Sequence, residues 1–262
     1  MTLSARHPWV RALLDWSRGW WQVIRFGAQV LVLAMSPSSY RSSQRPRIVQ
    51  SIYQATMPML TGFVVLSAIA GLVIIRIVLA TALSYGLSRY ALDVLVRTLV
   101  LELIPLSAAM FAALRYAMPA GEQVRKMRMQ GLFNTQLAAG LDPMRDTVLP
   151  RALAGMFAVI TLAALSSATT LVLTYISVYG FSSWGLAGFT RTVGQVFNPV
   201  IVLIFGMKTF FLSMAVAIIP MVPTPREAGI GFGWAHAEVV RVARLLAVVL
   251  LIEMLSLVGN YY

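Results

Sequence analysis

Five stretches of this chain are apolar for long enough to cross a lipid bilayer, and no other feature of the sequence limits its fold so tightly. A span of the hydrocarbon core takes roughly 20 mainly apolar residues, and residues of about 56–83, 91–117, 149–178, 199–222 and 237–259 qualify. Composition agrees: 59% of the 262 residues are hydrophobic, 11% are charged, and the mean hydropathy is +0.79, far from the balance of a soluble domain. In lipid the backbone must satisfy its own hydrogen bonds, so long apolar runs become helices. The expected fold is an all-α integral membrane protein with residues 1–55 as an N-terminal region and 56–262 as a five-helix domain.

Successive spans alternate in direction, which sorts the connectors onto two sides. Arg6, Arg11, Arg18, Arg25, Arg41, Arg45 and Arg47 precede the first span. Arg115, Arg125, Lys126, Arg128, Arg145 and Arg151 flank or fill the connector after the second, and Arg226, Arg241 and Arg244 follow the fourth. The opposite side carries only Arg89 and Arg191, so the balance is sixteen to two. By the positive-inside bias the N-terminus is expected in the cytoplasm and the C-terminus outside. The same bias accounts for the net charge of +12; cations so interrupted by apolar spans make no phosphate-tracking face, and nucleic acid is not an expected partner.

The N-terminal segment is too charged to span. Arg11, Asp15, Arg18, Gln22, Arg25 and Gln29 recur every three or four residues, one stripe of a helix, with Trp9, Leu13, Trp16, Trp20, Trp21, Val23 and Ile24 on the other faces. This predicts an amphipathic helix lying in the interface, with Trp9, Trp16, Trp20 and Trp21 as anchors in the headgroup zone. Three charges in its apolar part and the lack of a small-residue cleavage site argue against a signal peptide. SPSSYRSSQRPR then reads as a cytoplasmic linker to the first span.

Inside the spans stand Arg76, Arg97, Glu102, Lys208 and Glu253. Each costs at least a few kcal/mol facing lipid, so each is expected to face protein or water. Glu102 is followed by Pro105, which has no N–H to offer the carbonyl of Leu101, so a buried carboxylate and a local helix break coincide. Lys208 is the candidate counter-ion. The plainer alternative is a structural ion pair that orients two helices. Asp93 and Arg97, spaced i, i+4, are expected to pair on a helix surface.

An enzyme at membrane depth needs a nucleophile with a base, or metal ligands. The chain has no cysteine, and its two histidines, His7 and His236, stand outside the spans and far apart, so neither catalysis nor a metal site is expected. A Gly-rich phosphate loop of the Walker type is also absent, so the chain is not expected to bind ATP in that way.

Between the second and third spans the chain turns polar, in GEQVRKMRMQGLFNTQLAAGLDPMRD. Residues 121–140 read as one amphipathic helix, with Met127, Leu132, Phe133 and Leu137 as an apolar strip and Arg125, Lys126 and Arg128 facing outward; Gly140-Leu141-Asp142-Pro143 supplies the stop and turn. Such a helix rests on a membrane or fits a partner's groove.

The segments LELIPLSAAMFAALRYAMPAGEQVRKM and GLDPMRDTVLPRALAG resemble the signature of the MlaE/YrbE permease family. Glu102, Leu103 and Pro105 match its E-L-x-P element, Arg115 an arginine about ten residues later, and Gly140, Asp142, Pro143, Arg145, Pro150 and Arg151 its G-V-D-P-x-R-x-x-x-x-P-R element. A fainter similarity runs from about Arg25 to the C-terminus and includes Ala228-Gly229-Ile230.

The resemblance implies the membrane subunit of an ABC-type phospholipid transporter in the bacterial inner membrane. It implies a homodimer working with a cytoplasmic ATPase, which binds ATP and Mg, with a periplasmic MCE-domain protein and with a small STAS-type cytoplasmic subunit. Glu102, Lys208, Glu253 and Pro105 would line or gate the lipid pathway. Residues 121–140 would be the coupling helix, with Glu122, Arg125, Lys126, Arg128, Phe133, Asp142 and Arg145 facing the ATPase. Two departures stand out: Leu101 replaces an arginine common before the glutamate, and Gly131–Gln136 replaces the usual E-Q-x-x-A-L. The competing class is a self-contained ion-coupled transporter or channel, in which Glu102 and Lys208 bind an ion or proton; a purely structural scaffold is a third.

Overall fold

The computed structural model describes residues 8–40, 44–223 and 233–261; the side chains of residues 8–16, 88, 89, 233–237 and 261 lie outside that description, and with them Trp9, Trp16 and the segment Ala228–Ile230. No strand occurs among the described residues. The helices are α1 (Pro8–Met35), α2 (Arg45–Ser84), α3 (Tyr90–Met129), α4 (Leu132–Ala138), α5 (Met144–Tyr179), α6 (Leu186–Val196), α7 (Pro199–Ile218) and α8 (Gly233–Tyr261). Five helices, α2, α3, α5, α7 and α8, are long and apolar enough to cross a membrane, one for each of the five apolar stretches.

α5 is the centre of the bundle: α2 packs along one side of it and α7 along another, with α8 against α7. Small side chains allow the close approach. Ala154, Ala158 and Ala163 of α5 are fully buried, as are Ala108, Ala109 and Ala112 of α3. α2 and α8, by contrast, bury little of themselves and present Val65, Leu66, Ile69, Val73, Leu250, Leu251 and Leu255 outward, as suits helices against acyl chains.

α1 starts as the predicted helix and then does more than lie in an interface. Phe26 and Val30, 6% and 2% exposed, pack into a cluster with Val124 of α3, Leu149 of α5 and Ile218 of α7. Arg18, Arg25 and Gln29 of the polar stripe are exposed. The linker is shorter than expected: a 3-10 turn, Pro37–Tyr40, is soon followed by α2, so residue 55 falls inside a helix.

Three prolines shape the bundle. Pro105, Pro119 and Pro150 each follow a π-helical segment: Val96–Leu103, Ala113–Ala117 and Met144–Val148. A proline inside a helix offers no N–H to the carbonyl four residues back, and its ring crowds that carbonyl. Widening the preceding turn relieves both problems, and such π segments recur where helices carry function.

The polar stretch holds the end of α3 and a second helix, not the single helix expected over 121–140. α3 continues to Met129, the chain reverses at Gly131 in the left-handed region (φ 71°), and α4 follows. Gly121 is needed for a different reason. A Cβ there would stand 2.3 Å from the carbonyl oxygen of Pro220, so only glycine lets α3 meet the end of α7. The connector between the third and fourth spans contains α6, which buries Phe189 and Val196 and leaves Phe181 and Trp184 just before it almost fully exposed.

Candidate functional site

At mid-bundle three helices bring their intramembrane charges to one point. Lys208 stands in the middle of α7, with a side chain only 1% exposed. Its ammonium donates to Glu253 Oε1 of α8 at 2.8 Å, to Glu102 Oε2 of α3, and to the carbonyl of Leu101 at 3.2 Å. All three ammonium protons are thereby used. The Leu101 carbonyl is the one that Pro105 leaves without an N–H, so the break in α3 supplies an acceptor to the lysine. Glu102 Oε1 accepts from Asn260 Nδ2 of α8 at 2.7 Å.

Lys208 stands as the counter-ion of Glu102, as the sequence suggested; its second carboxylate, Glu253, and Asn260 were not foreseen as partners. Asn260 lies one residue beyond the apolar stretch taken as the last span, and no spacing rule ties position 260 to position 102. The cluster is short of positive charge. Two carboxylates face one ammonium, while Leu101, where the resemblance places an arginine, is buried among Leu92, Val96, Phe189 and Ile201. Glu253 Oε2 and Asn260 Oδ1 are buried with no hydrogen-bond partner among the described residues. The arrangement is a polar node in an apolar bundle, tying α3, α7 and α8 together and carrying acceptor capacity to spare.

Two of the other intramembrane charges behave differently from each other. Arg97 pairs with Asp93 at 3.1 Å, as its spacing predicts. Arg76, expected to face protein or water, is exposed on α2.

The second group of predicted residues lies at the basic end of the bundle. Arg125 binds Glu122 through two hydrogen bonds of 2.7 and 2.9 Å, and Lys126 stands 4.0 Å from the same carboxylate. Arg125, Lys126 and Arg128 do not all face outward. Arg125's side chain is 15% exposed, Lys126's is 65%, and Arg128 turns inward to donate to the carbonyl of Met221 at 2.7 Å. The Arg128 guanidinium also lies over the rings of Phe26 and Phe133, and Phe133 packs against the apolar cluster that contains Phe26 and Val124.

Asp142 accepts from the N–H of Met144 at 3.0 Å in the turn that leads into α5, while Arg145 donates to Ser38 at 3.2 Å. α4 itself buries none of its residues, and Met129, Leu132, Leu137 and Leu141 are exposed around it. Those apolar side chains, not the arginines, are the open part of this surface. Of the predicted interface tryptophans with described side chains, Trp21 is 67% exposed and Trp20 is half-buried.

Among the described residues no group of His, Cys, Asp and Glu has the makings of a metal site. The family model described as Permease MlaE matches residues 48–258. The chain belongs to the MlaE permease family. The match contains Glu102, Arg115 and the Gly140–Arg151 segment, and stops short of α1. An MlaE-family permease is a multi-pass transmembrane subunit of the ABC type, associated with lipid transport. No curated protein matches the chain by sequence comparison.

Proposed function

We propose that this chain is the transmembrane subunit of a transporter that moves phospholipid between the bacterial inner membrane and a periplasmic MCE-domain carrier, and so contributes to outer-membrane lipid homeostasis. The observation that carries the reading is the family match across residues 48–258. Two features of the structure support it. The exposed apolar surface around α4, at the basic end, suits the groove of a cytoplasmic ATPase, which would supply the ATP and Mg chemistry. The Glu102–Lys208–Glu253 node joins three spans that would have to shift for a lipid to pass, so nucleotide-driven movement of α3 would be felt at once by α7 and α8.

On this reading two copies assemble, lipid enters between them, and a small STAS-type subunit joins on the cytoplasmic side. Trp20 and Trp21 sit in the headgroup zone. The N-terminus is cytoplasmic and the C-terminus periplasmic. A second reading, an ion-coupled carrier, draws on one observation: the two carboxylates at the node outnumber its single cation.

The test is purification in mild detergent from the native host, with proteins and lipids identified by mass spectrometry. The wild-type chain is expected to bring an ATPase, an MCE-domain protein and phospholipid, and a Leu137→Asp variant to lose the ATPase while keeping the lipid. A chain that purifies without any ATPase would overturn the proposal in favour of the ion-coupled carrier.

A further inference from the structure

Arg115, Pro150 and Arg151 belong to two motif segments that the transport reading leaves without a task, and the fold brings them to one place. A cleft of about 520 Å³ opens at the basic end of the bundle, bounded by the start of α2, the lower part of α3 and the start of α5. It is lined by Arg47 of α2, Arg115 and Tyr116 of α3, and Asp146 and Arg151 of α5, with Gln123 at its edge. Two of the three π-helical segments, Ala113–Ala117 and Met144–Val148, form its facing walls.

The charges in the cleft are poorly spent within the protein. Arg115 is exposed and makes no hydrogen bond or ion pair with any described residue. Arg151 gives one N–H to the Thr147 carbonyl at 2.8 Å and keeps the rest of its guanidinium toward the cleft. Its backbone carbonyl accepts from the Tyr116 hydroxyl at 3.1 Å, which fixes α3 against α5. Arg47 is 3.9 Å from Asp146, the outer limit of an ion pair, and that carboxylate already accepts from Gln44. Three guanidiniums thus face one carboxylate, an excess that favours a phosphate, whose oxygens guanidinium forks bind in pairs.

Depth says where the phosphate comes from. Arg97, paired near the outer end of α3, and Arg115 are separated by a helical rise of roughly 27 Å, close to the thickness of the hydrocarbon core. Arg115 therefore lies at the level of the headgroups on the basic side, where pockets of arginine between spans take anionic lipids.

We propose that this cleft is a docking site for the phosphate of an anionic phospholipid of the leaflet on the basic side, distinct from the Glu102–Lys208–Glu253 node. The site depends on the membrane placement of the spans, not on lipid transport or on an ATPase. A lipid held there bridges α2, α3 and α5 at the point where α3 leaves the membrane, so it sets the position of the segment that leads to α4.

The test is native mass spectrometry of the full-length chain, delipidated in detergent and titrated with phosphatidylglycerol or with phosphatidylcholine. The wild type is expected to retain phosphatidylglycerol in preference. Arg115→Gln, which breaks no contact within the protein, should lower that retention roughly fivefold, and Arg47→Gln, Arg115→Gln and Arg151→Gln together should lower it on the order of a hundredfold. Millimolar inorganic phosphate should leave the bound lipid in place. Equal retention by wild type and Arg115→Gln would overturn the site, and displacement by inorganic phosphate would reassign it to a soluble phosphate. A transporter that moves no lipid but keeps this preference would refute the function proposed above and leave the site standing.

Discussion

Lys208 holds one positive charge between two carboxylates where water is scarce, and this fixes what its replacement must do. Lys208→Met leaves Glu102 and Glu253 facing each other with no counter-charge, and removing one partner of a buried ion pair typically costs about 3–5 kcal/mol. The variant is expected to unfold at a clearly lower temperature in detergent. Glu253→Gln should be far milder, since Glu102 and the Leu101 carbonyl still hold the ammonium and the node becomes neutral. Equal losses in the two variants would show that the node is not organised around the lysine. Gly121 offers a separate check on packing. A methyl group there collides with the Pro220 carbonyl, which is backbone and cannot swing away, so Gly121→Ala should cost roughly 1–3 kcal/mol by the usual penalty for overpacking. Thermal unfolding of that variant tests whether α3 and the end of α7 touch as described.

At the scale of elements, the prolines decide more than the hydrophobic pattern does. Pro105→Ala restores an N–H that can satisfy the Leu101 carbonyl within α3 and removes the reason for the wide turns of Val96–Leu103. The variant should be at least as stable as the wild type by thermal unfolding, yet impaired in transport, because Lys208 loses an acceptor and Glu102 is rotated. Loss of stability with transport intact would contradict this. The five spans were legible because an apolar run of that length has one physical solution, and the Leu101–Pro105 break was legible because proline chemistry is local. The π-helical widening was not, since it depends on how neighbours accept the freed carbonyls. The outward placement of Arg128 failed because its partners, Phe26 and the Met221 carbonyl, come from distant parts of the chain. The single helix expected over 121–140 failed at Gly131, whose left-handed backbone ends one helix and starts the next. α6 hid in a stretch rich in Gly, Ser and Thr, whose helical face is defined only by burial of Phe189 and Val196.

For the whole molecule, the absence of cysteine makes topology directly measurable. Trp184→Cys and Leu137→Cys each place a single thiol at an exposed position, on opposite ends of the bundle. A membrane-impermeant maleimide should label the first in cells whose outer membrane alone has been opened, and the second only after the inner membrane is also breached. The reverse result would invert the orientation that the sixteen-to-two charge bias sets. Orientation in turn decides which end meets the ATPase and which leaflet supplies the arginine cleft. On the function proposed above, this permease couples ATP hydrolysis by a partner at its basic end to lipid passage past the Lys208 node. The most direct test of that coupling is transfer of labelled phospholipid by the purified complex in proteoliposomes, with and without ATP, for the wild type and for Glu253→Gln. Transfer is expected to require ATP in the wild type and to be strongly reduced in Glu253→Gln while the ATPase remains bound. Transfer that proceeds without ATP, or that is unchanged in the variant, would contradict that coupling.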